Sequence, residues 1–137
     1  MADRKIFVNL PVKDLKKSMG FYEAIGFKNN PQFTDDTAAC MVVSEDIYVM
    51  ILTHEKFKGF TPKQIADATK TSEVLNSLSY ASRGEVDAIV ARAAGAGGTK
   101  YAEPKDYGFM YQHGFQDPDG HIWEVFWMDP AAVNKQQ

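Results

Sequence analysis

Phe115-Gln116-Asp117-Pro118-Asp119-Gly120-His121-Ile122-Trp123-Glu124-Val125-Phe126-Trp127-Met128 decides how this chain folds. Asp117-Pro118-Asp119-Gly120 suits a type I turn, because proline pre-sets φ at the second position and glycine is favoured at the fourth. The residues after it, Ile122 to Met128, are apolar on both faces apart from Glu124, so the strand they form is expected inside a sheet. A carboxylate at the centre of such a strand needs a partner, a metal ion or a polar cavity. The turn folds the preceding strand back. The register read from it puts Gln116 near His121 and His113 near Glu124, on one face.

Outward from this hairpin, a strand–helix–three-strand order occurs twice. Lys5 to Pro11 reads as a strand ending at proline. Asp14 then caps a helix with the stripe Leu15, Met19, Tyr22 and Ile25, stopped by Gly26. Strands at 27–33, 37–43 and 47–53 follow, separated by Asp35-Asp36 and Ser44-Glu45-Asp46. In the second half a strand at 74–80 precedes a capping box, Ser82-Arg83-Gly84-Glu85. Val86, Ile89, Val90 and Ala93 form the helical stripe, and Gly95, Gly97 and Gly98 end it. Strands at 100–103, 108–116 and 122–128 complete the repeat. Such a repeat outweighs any single motif as evidence for architecture. It predicts a single domain, 1–137, of two modules, 5–53 and 73–128, joined by a connector at 54–72. The connector is expected to hold a short helix from Thr61 to Ala68, with Thr61 as its cap and Pro62 at its first position.

Composition narrows the function classes. The chain has 137 residues, 45% of them apolar and 24% charged, which suits a globular domain. Its net charge is -3 and its one basic run, Lys13-Asp14-Leu15-Lys16-Lys17, is broken by an acid, so nucleic acid is not an expected partner. Cys40 is the sole cysteine, which leaves no disulfide framework and no thiolate zinc site. No apolar run reaches membrane-spanning length. Met1 to Lys5 are expected to lead straight into a strand without a signal-peptide core, and a cytoplasmic location is the expectation.

The doubled unit, Pro11-Val12-Lys13-Asp14-Leu15 after the first strand, and Asp117-Pro118-Asp119-Gly120-His121-Ile122-Trp123-Glu124-Val125 near the end together resemble the vicinal oxygen chelate superfamily. Glyoxalases, extradiol dioxygenases, and bleomycin and fosfomycin resistance proteins belong to that group. The resemblance covers about residues 5–128. It implies an α+β fold of two tandem βαβββ modules with curved mixed sheets enclosing a cavity, and a homodimer. Metal enzymes of the family place ligands in the first and last strand of each module. Carried over by position, those points fall on Glu124, Ile51, Phe7 and Leu75. A shift of two places gives Asn9 or Ser77, neither a usual ligand at such a site. One carboxylate falls short of the three protein ligands a catalytic ion normally takes. The resemblance therefore implies a member without a metal or other cofactor.

The candidate site follows from side chains two apart sharing a strand face. Glu124 brings Ile122 and Phe126, Phe7 brings Asn9, Leu75 brings Ser77, and Tyr111 is among the aromatics able to stack on a planar ligand. Three functions fit. The first is a glyoxalase/bleomycin-resistance/dioxygenase-like protein that binds a small, partly apolar or aromatic molecule without a metal. The second is a metal-independent lyase or isomerase with Glu124 and His113 as acid and base; against it, His113 is equally an ordinary half-buried imidazole and Glu124 a hydrogen-bonded acid. The third is a metal-dependent glyoxalase or extradiol dioxygenase. His121 is expected to be exposed at the start of its strand.

Overall fold

A computed structural model describes residues 4–135. Residues 1–3, the beginning of the expected lead into the first strand, lie outside the described residues. The chain divides into two compact units, Met1–Asp67 and Ala68–Gln137. Among the described residues no helix is long and apolar enough to cross a membrane.

The first unit holds β1 (Ile6–Val12), α1 (Leu15–Ala24), β2 (Lys28–Asn30), β3 (Ala38–Ser44), β4 (Ile47–Thr53) and α2 (His54–Lys58). Its sheet has the order β1-β4-β3-β2, with β1 parallel to β4 and the other pairs antiparallel. β1 runs through Pro11 to Val12 instead of stopping there; it is an edge strand, where a missing N–H costs no ladder bond. Asp14 caps α1 by accepting the Lys17 N–H. Gly26, at φ 107°, ends it: Phe27 donates to the Tyr22 carbonyl and Gly26 to that of Glu23. The buried face of α1 is Ser18, Phe21 and Tyr22, continued by Ile25, while Leu15 and Met19 are only half-buried. The stripe is rotated from the expected one, with Phe21 and Tyr22, edge to face at 5.1 Å, as its two large buried rings.

The second unit holds β5 (Leu75–Ser79), α3 (Arg83–Gly95), β6 (Thr99–Asp106), β7 (Met110–Gln116), β8 (Ile122–Met128) and α4 (Pro130–Lys135). Its sheet repeats the topology of the first, β5-β8-β7-β6, with β5 parallel to β8. β8 therefore lies inside the sheet, between β5 and β7. Ser82 accepts the Glu85 N–H, and the Glu85 carboxylate reaches back one residue beyond the cap to the Ala81 N–H. Gly97, at φ 103°, closes α3 as Gly26 closes α1, with Gly98 donating to the Ala93 carbonyl. Val86, Ile89, Val90 and Ala93 are the buried face of α3, packed with Phe115, Trp123 and Val125 in the core. Each large side chain so buried contributes about 1.5–3 kcal/mol.

Two local expectations are corrected. No helix forms between Thr61 and Ala68; the connector's helix is α2, capped by Thr53, whose hydroxyl accepts the Lys56 N–H. Thr61 instead bonds the Lys63 N–H in a local turn, its hydroxyl competing with helix formation as threonines do. The β7–β8 hairpin is also one residue out of the expected register. Gly120 donates to the Asp117 carbonyl, as a type I turn requires, but Gly120 itself has φ 89° and Asp117 donates to the His121 carbonyl. The loop thus contains Pro118, Asp119 and Gly120, a type I turn followed by a left-handed glycine. The extra residue pairs Gln116 with Ile122, Gly114 with Glu124 and His113 with Val125.

Candidate functional site

Register decides which side chains meet. Glu124 stands beside Ser77 on β5 and Gly114 on β7, so all three share one face of the second sheet. Leu75, Ile122 and Phe126 lie on the same face, and so does Gln112, the partner of Phe126. The Gln112 side-chain amide donates to the Glu124 carboxylate. That bond fixes the amide's orientation, because an ionised carboxylate only accepts. The acid, half-buried on an interior strand, is thus met by a neutral donor.

His113 and Tyr111 occupy the opposite face, the side of α3. The Tyr111 hydroxyl donates to Asp87 at 2.6 Å, and this bond holds the phenol's pKa up at about 12. His113 Nδ1 accepts the Gly114 N–H at 2.8 Å. Burial lowers the His113 pKa below its usual value; Lys100 adds to the effect, while Asp87 and Glu103 oppose it. His113 and Glu124 are therefore not cross-strand neighbours on one face.

In the first unit Phe7 pairs with Tyr48, Asn9 with Met50 and Pro11 with Leu52, so these six share a face. Phe7 and Tyr48 stack at 4.6 Å, and Phe7 remains 50% exposed. Ile51 pairs with Leu10 and Ala39, on the face that packs toward α1, and is 0% exposed. Counting from the motif thus put Phe7 and Ile51 together although they stand on opposite faces. A hollow of about 410 Å³ opens on the Phe7 face, bordered by Asn9, Leu52, Phe57, Phe60 and Thr61. Phe57 ends α2's apolar contribution, and Phe60, beyond α2, carries the Lys56 ammonium over its ring at 5.6 Å.

A smaller hollow, about 170 Å³, lies in the second unit, bordered by Tyr101, Ala102, Glu103, Lys105, Gln112, His113, Gly114 and Glu124. Gly114 makes it possible. A Cβ there would stand 3.2 Å from the Tyr101 ring and 3.4 Å from the Trp123 carbonyl. Tyr101 falls within the first of the two register breaks of β6, between Lys100 and Ala102, and its ring stands over the glycine. A glycine inside a strand signals close approach, and Gly114 is the sequence clue to Tyr101. Gln112, Phe57 and Phe60 carry no such local signal.

His121, expected to be exposed, is 2% exposed, and its Nδ1 lies 2.6 Å from Glu73 Oε1. Asp117, also buried, accepts the His121 and Asp119 N–H groups. This cluster ties Glu73, just before β5, to the hairpin.

A divalent ion does not fit the residues around Glu124. Its neighbours offer one neutral amide, a hydroxyl and hydrocarbon, and among the described residues no three His, Cys, Asp or Glu side chains converge as a cation site.

A family model described as bleomycin resistance protein-like N-terminal matches residues 4–44. No curated protein matches the sequence. A solved structure of a hypothetical protein from S. aureus is 30% identical, covers 93% of this chain and 95% of its own, and superposes with a TM-score of 0.77. A glyoxalase/bleomycin resistance protein/dioxygenase family enzyme from Burkholderia phytofirmans PsJN, 17% identical, covers 89% and 96% with a TM-score of 0.76. The fosfomycin resistance protein FosX from Mesorhizobium loti, 14% identical, covers 98% and 99% with a TM-score of 0.69. The last two share the fold. With its twice-repeated sheet order, its family-model match and its 30% identical relative, the chain belongs to the glyoxalase/bleomycin resistance/dioxygenase group, the vicinal oxygen chelate superfamily.

Proposed function

We infer that this protein binds a small, partly apolar, ring-bearing molecule without a metal ion, and that the hollow beside β1, β4 and α2 receives it. The observation carrying this is the lining of that hollow: three apolar side chains, Leu52, Phe57 and Phe60, with two hydrogen-bonding groups, Asn9 and Thr61. Mostly apolar walls with a few polar groups, at this volume, are what small-molecule sites have in common. Phe60, 69% exposed at the border of the hollow, leaves a ring face open to a ligand there. The half-exposed Phe7 and Leu75 support a second copy of the chain as a further partner. Acid–base catalysis by Glu124 and His113 has less support, because Gln112 rather than His113 meets the carboxylate.

A panel of planar aromatic compounds screened by thermal shift tests the assignment, together with elemental analysis of the purified protein. Stabilising compounds should lose most of their effect in Phe57→Ala and Phe60→Ala, since a ligand raises the melting point only through binding the native state. One equivalent of tightly held metal, removed by chelator together with ligand binding, would overturn it.

A further inference from the structure

The smaller hollow in the second unit has a different chemistry. On its face stand one acid and one base that do not meet each other. Glu124 is bonded to the neutral Gln112, and among the described residues neither Glu124 nor Lys105 forms an ion pair. Lys105 pairs with Gln112 across β6 and β7, which puts the ammonium and the carboxylate on the same face with the amide between their strands. Glu103, also at the border, is neutralised by Lys100 at 2.6 Å.

The groups around Glu124 are those that recognise an ammonium. Gln112 spends its N–H on the carboxylate, leaving its carbonyl oxygen as an acceptor. The Tyr101 ring stands against Gly114, the residue paired with Glu124, and is a further group that attracts a cation. At the other end Lys105 supplies the complement for an anion. The volume, about 170 Å³, is roughly the share of six water molecules, so about six heavy atoms fit. Alanine has that many.

We propose that this hollow binds a small zwitterion of the α-amino-acid class. The ammonium sits on Glu124, the Gln112 carbonyl and the Tyr101 ring, and the carboxylate sits on Lys105. The site is separate from the apolar hollow of the first unit, so it stands or falls independently of the ligand proposed there.

Titration of the ¹⁵N-labelled full-length chain with L-alanine, and in parallel with ethylamine and propionate, tests it. Ethylamine is alanine without its carboxylate, and propionate is alanine without its ammonium. Alanine should give saturable shifts at the amides of Ala102, Gln112, Gly114 and Glu124, while Leu52 and Phe57 stay still. Each half-molecule should bind at least about tenfold more weakly than alanine, and alanine should lose as much on Glu124→Gln and on Lys105→Gln, because each change removes one charge-assisted contact. Lys105 lies on an exposed edge strand, so Lys105→Gln keeps the fold even where Glu124→Gln does not. Absence of saturable shifts, equal binding of ethylamine or propionate, or unchanged binding to Lys105→Gln would each overturn the assignment.

Discussion

Gly120→Ala should destabilise this fold strongly. Two costs combine there. The residue has φ 89°, a conformation in which a Cβ meets its own backbone, at about 1–2 kcal/mol. The new Cβ would also lie 2.7 Å from the Ala68 carbonyl oxygen, 2.8 Å from the Ala68 carbonyl carbon and 2.9 Å from the Thr69 nitrogen. Those atoms are backbone and cannot rotate away, so the connector has to lift off the hairpin, an overpacking cost of about 1–3 kcal/mol. The sum, about 2–5 kcal/mol, is a large part of a typical domain stability of about 5–15 kcal/mol. Gly26→Ala separates the two costs. Gly26 has φ 107° and nothing within 4 Å of an added Cβ, so it should lose only the conformational part. Urea denaturation followed by far-ultraviolet circular dichroism sees both units, and the fluorescence of Trp123 and Trp127 sees the hairpin. If the two variants lose the same stability to within about 0.5 kcal/mol, the contact between Ala68 and the turn does not exist in solution.

Breaking the buried contact between His121 and Glu73 should also destabilise: His121→Ala is expected to cost about 1–3 kcal/mol and Glu73→Gln less, both read from urea midpoints, because His121 is buried and Glu73 is partly open to water. His113 should titrate below the usual histidine pKa in a proton NMR experiment, since burial disfavours its charged form. The sign for stability follows: the unfolded chain binds the proton first, so this contribution is whole above the ordinary histidine pKa of about 6.5 and is lost as pH falls through that value toward the folded one. His113→Gln should flatten that part of the stability–pH curve. Tyr80, raised to about 12 chiefly by burial, and Tyr111, raised to about 12 by its bond to Asp87, should both ionise well above the ordinary tyrosine pKa of about 10 in an ultraviolet titration. Asp87→Asn should bring Tyr111 down and leave Tyr80 where it is.

What local chemistry dictates was legible in the sequence. The caps at Asp14 and Ser82, the glycine stops at Gly26 and Gly97, and the stripe of α3 depend on residues a turn apart. β8 was legible as an interior strand because both its faces are apolar. The parts that were not legible depend on distant partners. His121 follows a turn glycine and has no local reason to be buried; its partner Glu73 is 48 residues away. Phe57 and Phe60 look like ordinary connector residues until β1 and β4 stand beside them. The helix expected at Thr61 had a cap and a proline in the right order, but capping cannot supply the packed apolar face that holds a short helix together.

Register is where the candidate site was most vulnerable, because a shift of one residue moves every side chain to the other face. Gly120 adds one residue to the hairpin, and the pairing of His113 with Glu124 disappears. Ile51 moves to the face toward α1, away from Phe7. One step either way from Ile51 lands on Met50 or Leu52, and the residue beside Glu124 on β5 is Ser77 rather than Leu75. None of these is an imidazole, a thiolate or a carboxylate. In either register Glu124 is the one carboxylate among the positions where metal enzymes of the fold hold their ion. What changes with the register is its company: an amide, a glycine and a tyrosine ring, none of them a usual donor to a divalent ion.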